Sequence, residues 1–363
     1  MRSSLNFRDF DWLLFGLTLA IAGVGILEIY STTAQTPHAY QFRRQICWVI
    51  IGCVLTLVVS QIDYRLILEH VPWLYLLSIG ILAVILVVGP RVAGTHRWLE
   101  IGGFTLQVSE MVKLVIILGV AALFAERRNK AVTWGELVKL GLLAGVPGIL
   151  VALEPDLGTA LTYMPTVAAG AFLAGVQRRQ IVTLGLLGVL ILPIGWQFLR
   201  PYQRERLEAF VHPKQDVQGS SYQVTQTKIA IGSGGLWGRG LGNGTQSQLG
   251  FIPVSHADAI FAAFAEERGF IGTLFAFLLY LAMFLRLLDA AQTSADRAGS
   301  FFLVGFAAVL FFQVAVNVGM LIGWFPVTGI PLPLMSEGGS SVLFMFLGLG
   351  LAMSVKMQRF ANY

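Results

Sequence analysis

Tyr222 to Gly272 reads YQVTQTKIAIGSGGLWGRGLGNGTQSQLGFIPVSHADAIFAAFAEERGFIG, a polar, glycine-rich segment that delivers a lone aspartate, Asp258, to the start of a long apolar helix. A stretch this polar beside a run this apolar needs a ligand, a reaction or a partner to explain it. Glu266 and Glu267 lie further down the same run; with a helix beginning near 258, Glu266 is roughly 12 Å deeper than Asp258. Acids at that depth must be paired or line a wet cavity.

Working outward, the chain has 363 residues, 56% of them hydrophobic and 12% charged. Soluble domains carry about 25% charged residues. The composition therefore identifies an all-α polytopic integral membrane protein. A helical bundle in lipid is one cooperative unit, so residues 1–363 form a single domain. The net charge of +5 resides mostly in loop lysines and arginines, which report orientation and contact with anionic membrane lipids. Nucleic-acid binding finds no support. Cys47 and Cys53 share one apolar segment at an offset that forbids a mutual disulfide, and they read as small core residues. The first apolar run, Trp12 to Tyr30, is long and is followed by many others, so it reads as a retained first helix rather than a signal peptide.

Apolar runs of spanning length predict about ten transmembrane helices, near 11–30, 45–60, 72–88, 108–125, 137–153, 159–175, 181–199, 258–285, 300–323 and 340–357. Arg127, Arg128 and Lys130, then Arg178 and Arg179, then Arg286 and Arg297, fall on one side with both termini. The positive-inside rule makes that side the cytoplasm, and Lys356 and Arg359 agree. Outside lie 89–107, 154–158, one long extracytoplasmic loop at about 200–257, and 324–339. The glycines from Gly232 to Gly244 lack the strand and helix context of a Walker or Rossmann motif, which excludes nucleotide binding.

Most of the unusual polar sequence falls on that outer side. Glu110 and Lys113 in VSEMVKL share a helical face within pairing distance. They read either as a structural salt bridge or as a polar cavity wall in which Lys113 meets a phosphate. Asp156 in EPDLGTAL suits a helix N-cap, or a second outer carboxylate able to share a metal ion or a substrate hydroxyl with Asp258. Ser340 and Ser341, after Glu337, Gly338 and Gly339, present either free amides to an anion or a small-residue packing surface. His96 and Arg97 in GTHRWL lie beside Trp98, as an interfacial anchor or, for Arg97, a phosphate contact. Asp258, flanked by His256 and preceded by Pro253, is either a helix cap or the reactive group.

GTHRWL, LQVSEMVKL, EPDLGTAL, the glycine-rich segment, HADAIFAAFAEERGFIG and PVTGIPLPLMSEGGSSVL together resemble the SEDS family (shape, elongation, division and sporulation). The likeness runs from the third span to the C-terminus in the family's order. PVTGIPLP and the short N-terminus resemble its rod-shape elongation branch more than its division branch. The resemblance implies a peptidoglycan glycosyltransferase of ten helices that polymerises lipid II outside the bacterial cytoplasmic membrane, with a class B penicillin-binding protein as transpeptidase partner. It also implies that Asp258 is the catalytic acidic residue and that Glu110 and Lys113 line the cavity. Val108, Val254, Ala257, Arg268 and Glu337 depart from the family's usual proline, glutamate, threonine, leucine and tyrosine. Two of these flank Asp258, so its hydrogen bonding is not carried over.

In that chemistry a sugar 4-hydroxyl attacks the anomeric carbon of a sugar linked to a lipid pyrophosphate. Asp258 would take the proton, and Lys113 would stabilise the leaving pyrophosphate, with Arg97 or a divalent cation, magnesium or manganese, as helpers. An α donor and a β product need a single inverting displacement. The alternative is a flippase for the lipid-linked precursor, which would tolerate loss of Asp258. A secondary transporter would require internal repeats, and none is evident.

Overall fold

Hydrocarbon offers a backbone no hydrogen-bond partner, so a chain this apolar must satisfy its amides internally, and it does so as helices. The structure is a computed structural model that describes residues 9–34, 36–89, 97–101, 104–125, 131–212, 219–252 and 255–358. His96, Arg127, Arg128, Lys130, Pro253, Val254 and Arg359 lie outside these. The helices are α1 (Trp12–Thr33), α2 (Gln41–Ser60), α3 (Tyr64–Glu69), α4 (Val71–Val88), α5 (Val108–Phe124), α6 (Trp134–Leu153), α7 (Leu157–Leu161) and α8 (Met164–Leu173). They continue as α9 (Arg178–Phe198), α10 (Pro201–Val211), α11 (Ser220–Ser233), α12 (Thr245–Gln248), α13 (Ile260–Gln292), α14 (Arg297–Leu321) and α15 (Gly339–Gln358). Eight of these are long and apolar enough to cross a membrane. Adding α5 and the broken pair α7–α8 gives one helical element for each expected span.

Two features of the core set the geometry. α14 and α15 are buried along most of their length, and α15 lies against α2 through small residues. A Cβ at Gly350 would come within 2.9 Å of Val59, and one at Gly339 would overlap the ring of Trp48. At one end, Asp11 caps α1 through Leu14 N (3.1 Å), accepts from Arg286 Nε of α13 (2.8 Å) and pairs with Lys356 of α15. Burial opposes this carboxylate, but the bonds to Lys356, Leu14 and Arg286 hold it below the ordinary range.

Those contacts provide a ruler. Ser31 Oγ of α1 donates to Glu267 of α13 at 2.6 Å. From Asp11 to Ser31, and from Arg286 to Glu267, the helical rise is about 30 Å. That is about the thickness of a bilayer's hydrocarbon. The first part of α13, Ile260 to Glu267, adds up to about 10 Å beyond that level. Asp258 therefore lies at the end of the bundle opposite Arg286 and Lys356.

The all-α architecture holds, with one short hairpin in which Leu99–Ile101 (β1) pairs antiparallel with Phe104–Leu106 (β2). Three expectations change. The segment 200–257 is not a plain loop but carries α10, α11 and α12. α13 does not begin at Asp258 and is not continuous: it starts at Ile260 and breaks at Gly269, whose φ is 66°. Cys47 is exposed rather than in the core, which costs nothing where the surroundings are apolar.

The break at Gly269 is occupied by the glycine-rich segment. Phe270 N donates to Gly235 O (2.8 Å) and Ile271 N to Leu236 O (3.1 Å). Arg239 N and Gly240 N donate to the carbonyls of Glu266 and Glu267 (both 3.0 Å). Gly269 and Gly238 pack so closely that a Cβ on either would overlap the opposing backbone. The glycines of this segment thus serve close backbone approach.

Candidate functional site

Asp258 lies in the turn Ser255–Ala259 ahead of α13. The N-cap position is Ala259, and no side chain caps this helix. The bland explanation of Asp258 as a cap therefore fails. Its carboxylate faces Gly329, where a Cβ would lie 3.4 Å from Oδ2. The turn itself is fixed by three bonds. Asn317 Nδ2 of α14 donates to Asp258 O (3.0 Å), Ser336 Oγ donates to Ala257 O (2.7 Å), and Glu337 N donates to His256 O (3.1 Å). Burial raises the Asp258 carboxyl above the ordinary range. Arg206 and Arg97 oppose that shift and Asp156 adds to it.

Asp156 is both a cap and part of the site. Oδ1 accepts from Thr159 N (3.1 Å) at the start of α7, while Oδ2 accepts from Gln107 Nε2 (2.6 Å) and Thr159 Oγ1 (2.9 Å). Arg97 Nη1 pairs with the same Oδ2 at 3.4 Å, and its guanidinium lies over Trp98. The capping reading of Asp156 holds through Oδ1, while Oδ2 is engaged by Gln107, Thr159 and Arg97. The two acidic positions are joined by Val327–Ile330. Gly158 lies so close to Thr328 O that a Cβ would overlap it, and Arg206 Nη1 of α10 donates to Val327 O (3.2 Å).

Glu110 and Lys113 form the expected pair, Nζ to Oε2 at 2.6 Å. The Lys113 side chain is 0% exposed, and Nζ sits 4.3 Å from the centre of the Phe344 ring. Its direct partners are internal, and the charge of Asp156 also acts on it. Ser340 and Ser341 are buried, and Ser340 Oγ accepts from Gln107 N at 2.7 Å. They serve helix packing in place of an open anion site. His256 turns toward the α1–α2 connection, with its ring 5.7 Å from that of His38 and Nε2 3.8 Å from Glu337 Oε2. Burial, then the His38 charge, lowers its pKa. Burial raises Glu337 against the pull of Arg44 and His38.

The deeper acids are satisfied. Glu266 accepts from Gln246 N (3.0 Å), Ser247 N (3.2 Å) and Thr245 Oγ1 (3.2 Å), and Glu267 from Ser31. They pin the glycine-rich segment to α13 and α1. Four residues at the site escaped the sequence reading: Arg206, Gln107, Asn317 and Glu154. Glu154, next to Asp156, is pushed up to about 8 by burial and by the Asp156 charge, against Arg97. The EPD run and the basic PYQRER run were visible signals, but neither says which side chain reaches Asp258. Among the described residues no group of three or more His, Cys, Asp or Glu is placed to hold a metal ion.

Residues 10–360 match the family model described as cell cycle protein FTSW_RODA_SPOVE. Peptidoglycan glycosyltransferase MrdB of Escherichia coli strain K12 is 37% identical over 347 residues, covering 94% of this chain and 92% of the relative. A chain from a structure described as "Structural coordination of polymerization and crosslinking by a peptidoglycan synthase complex" matches with a TM-score of 0.82 and 32% identity, covering 97% and 98% of the two chains. Rod shape determining protein RodA of Thermus thermophilus matches with a TM-score of 0.72 and 29% identity, over 97% and 98%.

Proposed function

The chain belongs to the FtsW, RodA and SpoVE family of cell cycle proteins, the SEDS family, and from that premise we propose that it is a peptidoglycan glycosyltransferase of the elongation type that polymerises lipid II. The observation that carries this reading is Asp258. It is a partly buried carboxylate at the end of the bundle opposite Arg286 and Lys356, free of any capping role and influenced by two arginines. With that end facing outward, a sugar hydroxyl and the pyrophosphate of a membrane-anchored donor meet there.

In the reaction the 4-hydroxyl oxygen of one sugar forms a bond to the anomeric carbon of the next. Its proton passes to the Asp258 carboxylate. The bond from the anomeric carbon to the pyrophosphate oxygen breaks, and its electron pair leaves with the pyrophosphate. A carboxyl raised above its ordinary pKa is a stronger base for this proton than a free one. Arg97 and Arg206 are the cations whose charge acts on Asp258, so contact with the leaving polyanion falls to them. Lys113 acts from behind, paired with Glu110. A magnesium or manganese ion would need ligands from the substrate, since the described residues offer no cage, and no step here depends on one.

The likeness to rod shape determining protein RodA supports the elongation assignment. The likeness to a chain of a peptidoglycan synthase complex supports a transpeptidase partner of the class B penicillin-binding type. Clustering of Arg65, Arg286, Arg297 and Lys356 at the end opposite Asp258 supports a cytoplasmic location for that end and for both termini, with the active site extracytoplasmic. The test is lipid II polymerisation by purified Asp258→Asn. Asparagine nearly matches aspartate in shape, so a base role predicts a stable protein whose rate falls by roughly 10²-fold or more. Substantial glycan product from this variant would refute the assignment and favour a flippase.

A further inference from the structure

We infer that Asn317 is a positioning residue for Asp258: one buried amide clamps together the two backbone segments whose contact covers the Asp258 carboxylate. The inference rests on the proposed role of Asp258 as the base. Asn317 is 0% exposed and sits in the otherwise apolar last turns of α14. Its Nδ2 donates to Asp258 O at 3.0 Å and to Ile330 O at 2.8 Å. An amide nitrogen has two hydrogens, so its donor capacity is filled by these two carbonyls. Its Oδ1 is buried with no hydrogen-bond partner among the described residues. A residue kept for packing alone would not carry that unsatisfied oxygen, which costs about 1–3 kcal/mol. The donors are what this position supplies.

Neither carbonyl has a partner in regular structure. Asp258 precedes α13, so no turn of that helix reaches its carbonyl, and Ile330 lies in the irregular stretch between α14 and α15. Gly329, beside Ile330, holds a φ of 71° and presents its bare Cα to Asp258 Oδ2. Drawing both carbonyls onto one nitrogen holds the carboxylate beside Gly329, where an added Cβ would lie 3.4 Å from Oδ2. The same stretch carries Arg206 through Val327 O, so the clamp also fixes how closely that cation approaches. The charged groups that act on Asp258 are Arg206 of α10, Arg97 ahead of β1 and Asp156 at the start of α7. Opening the clamp admits water, and the carboxyl then falls back toward its ordinary value. The base becomes weaker but stays ionised at lower pH.

The experiment uses the full-length protein in lipid nanodiscs with lipid II as substrate. Asn317→Leu keeps the volume and removes both donors. Its kcat should fall about 10- to 100-fold with KM within about twofold, and the acid limb of the kcat profile should move to lower pH. Gly329→Ala disturbs the same contact from the other side, so the effects of the two changes on kcat should combine to less than their product. Where Asn317→Leu does not accumulate in membranes, Asn317→Ala, which removes both donors without adding a charge, replaces it with the same expected shift. An acid limb that stays put, or effects that multiply independently, overturns the clamp. Asp258→Asn is assayed in parallel. Activity there refutes the base itself, whereas an inactive Asp258→Asn beside an unmoved limb in Asn317→Leu refutes only the positioning role.

Discussion

Glu266→Gln tests the pinning of the glycine-rich segment most directly. Glu266 is 0% exposed. Oε1 accepts from Gln246 N (3.0 Å), Thr245 Oγ1 (3.2 Å) and Ser233 Oγ (3.4 Å), and Oε2 from Ser247 N (3.2 Å) and Ser247 Oγ (3.3 Å). Glutamine keeps one oxygen and replaces the other with an NH2 group. The hydroxyls can rotate and accept from it, but the backbone N–H on that side cannot. One buried donor is orphaned at about 1–3 kcal/mol, and the remaining bonds lose their charge assistance, for a total near 2–4 kcal/mol. Amide hydrogen exchange in nanodiscs reads this as local opening. Exchange at Arg239, Gly240, Gln246 and Ser247 should quicken by about 30-fold to about 1000-fold, at 1.36 kcal/mol per factor of ten, up to the unprotected rate. Helical amides of α14 should not change. Exchange within about threefold of the parent at all four positions would refute the view that Glu266 holds the segment.

The other predictions concern charge. Lys113→Met leaves Glu110 buried without its partner and should destabilise the protein by about 3–5 kcal/mol. The double variant Lys113→Met with Glu110→Gln should recover most of that loss in thermal unfolding, because a neutral pair needs no partner charge. Failure of the second change to rescue would mean that Lys113 interacts mainly with something other than Glu110. Glu154 has a folded pKa of about 8, above its unfolded value near 4.3. The folded state therefore holds the proton more tightly, and this contribution is full below the unfolded value and lost as pH rises through the folded one. Parent stability should decline between about pH 4.5 and 8 by up to about 1.4 kcal/mol per pH unit from this group. Glu154→Gln should flatten that decline, and an unchanged slope in thermal midpoints across the window would remove Glu154 as its source.

The sequence by itself determined the elements and whatever lies within a few residues along one of them. Hydrocarbon forces internal hydrogen bonding, so each apolar run became a helix close to its expected bounds. The spacing of Glu110 and Lys113 made an ion pair, and Asp156 capped α7, because both contacts reach only three residues along the chain. Tertiary structure decided which distant groups meet. Asn317 reaches Asp258 across 59 residues and Ser31 reaches Glu267 across 236. Helical periodicity gives a face within one element but not the rotation of that element against another. It could not show that Lys113 turns to Phe344 while Arg206 reaches Val327 O. The break at Gly269 was hidden for a related reason. FAEERGFIG is acceptable as continuous helix, and only the approach of Gly238 and its neighbours demands the positive φ that glycine supplies.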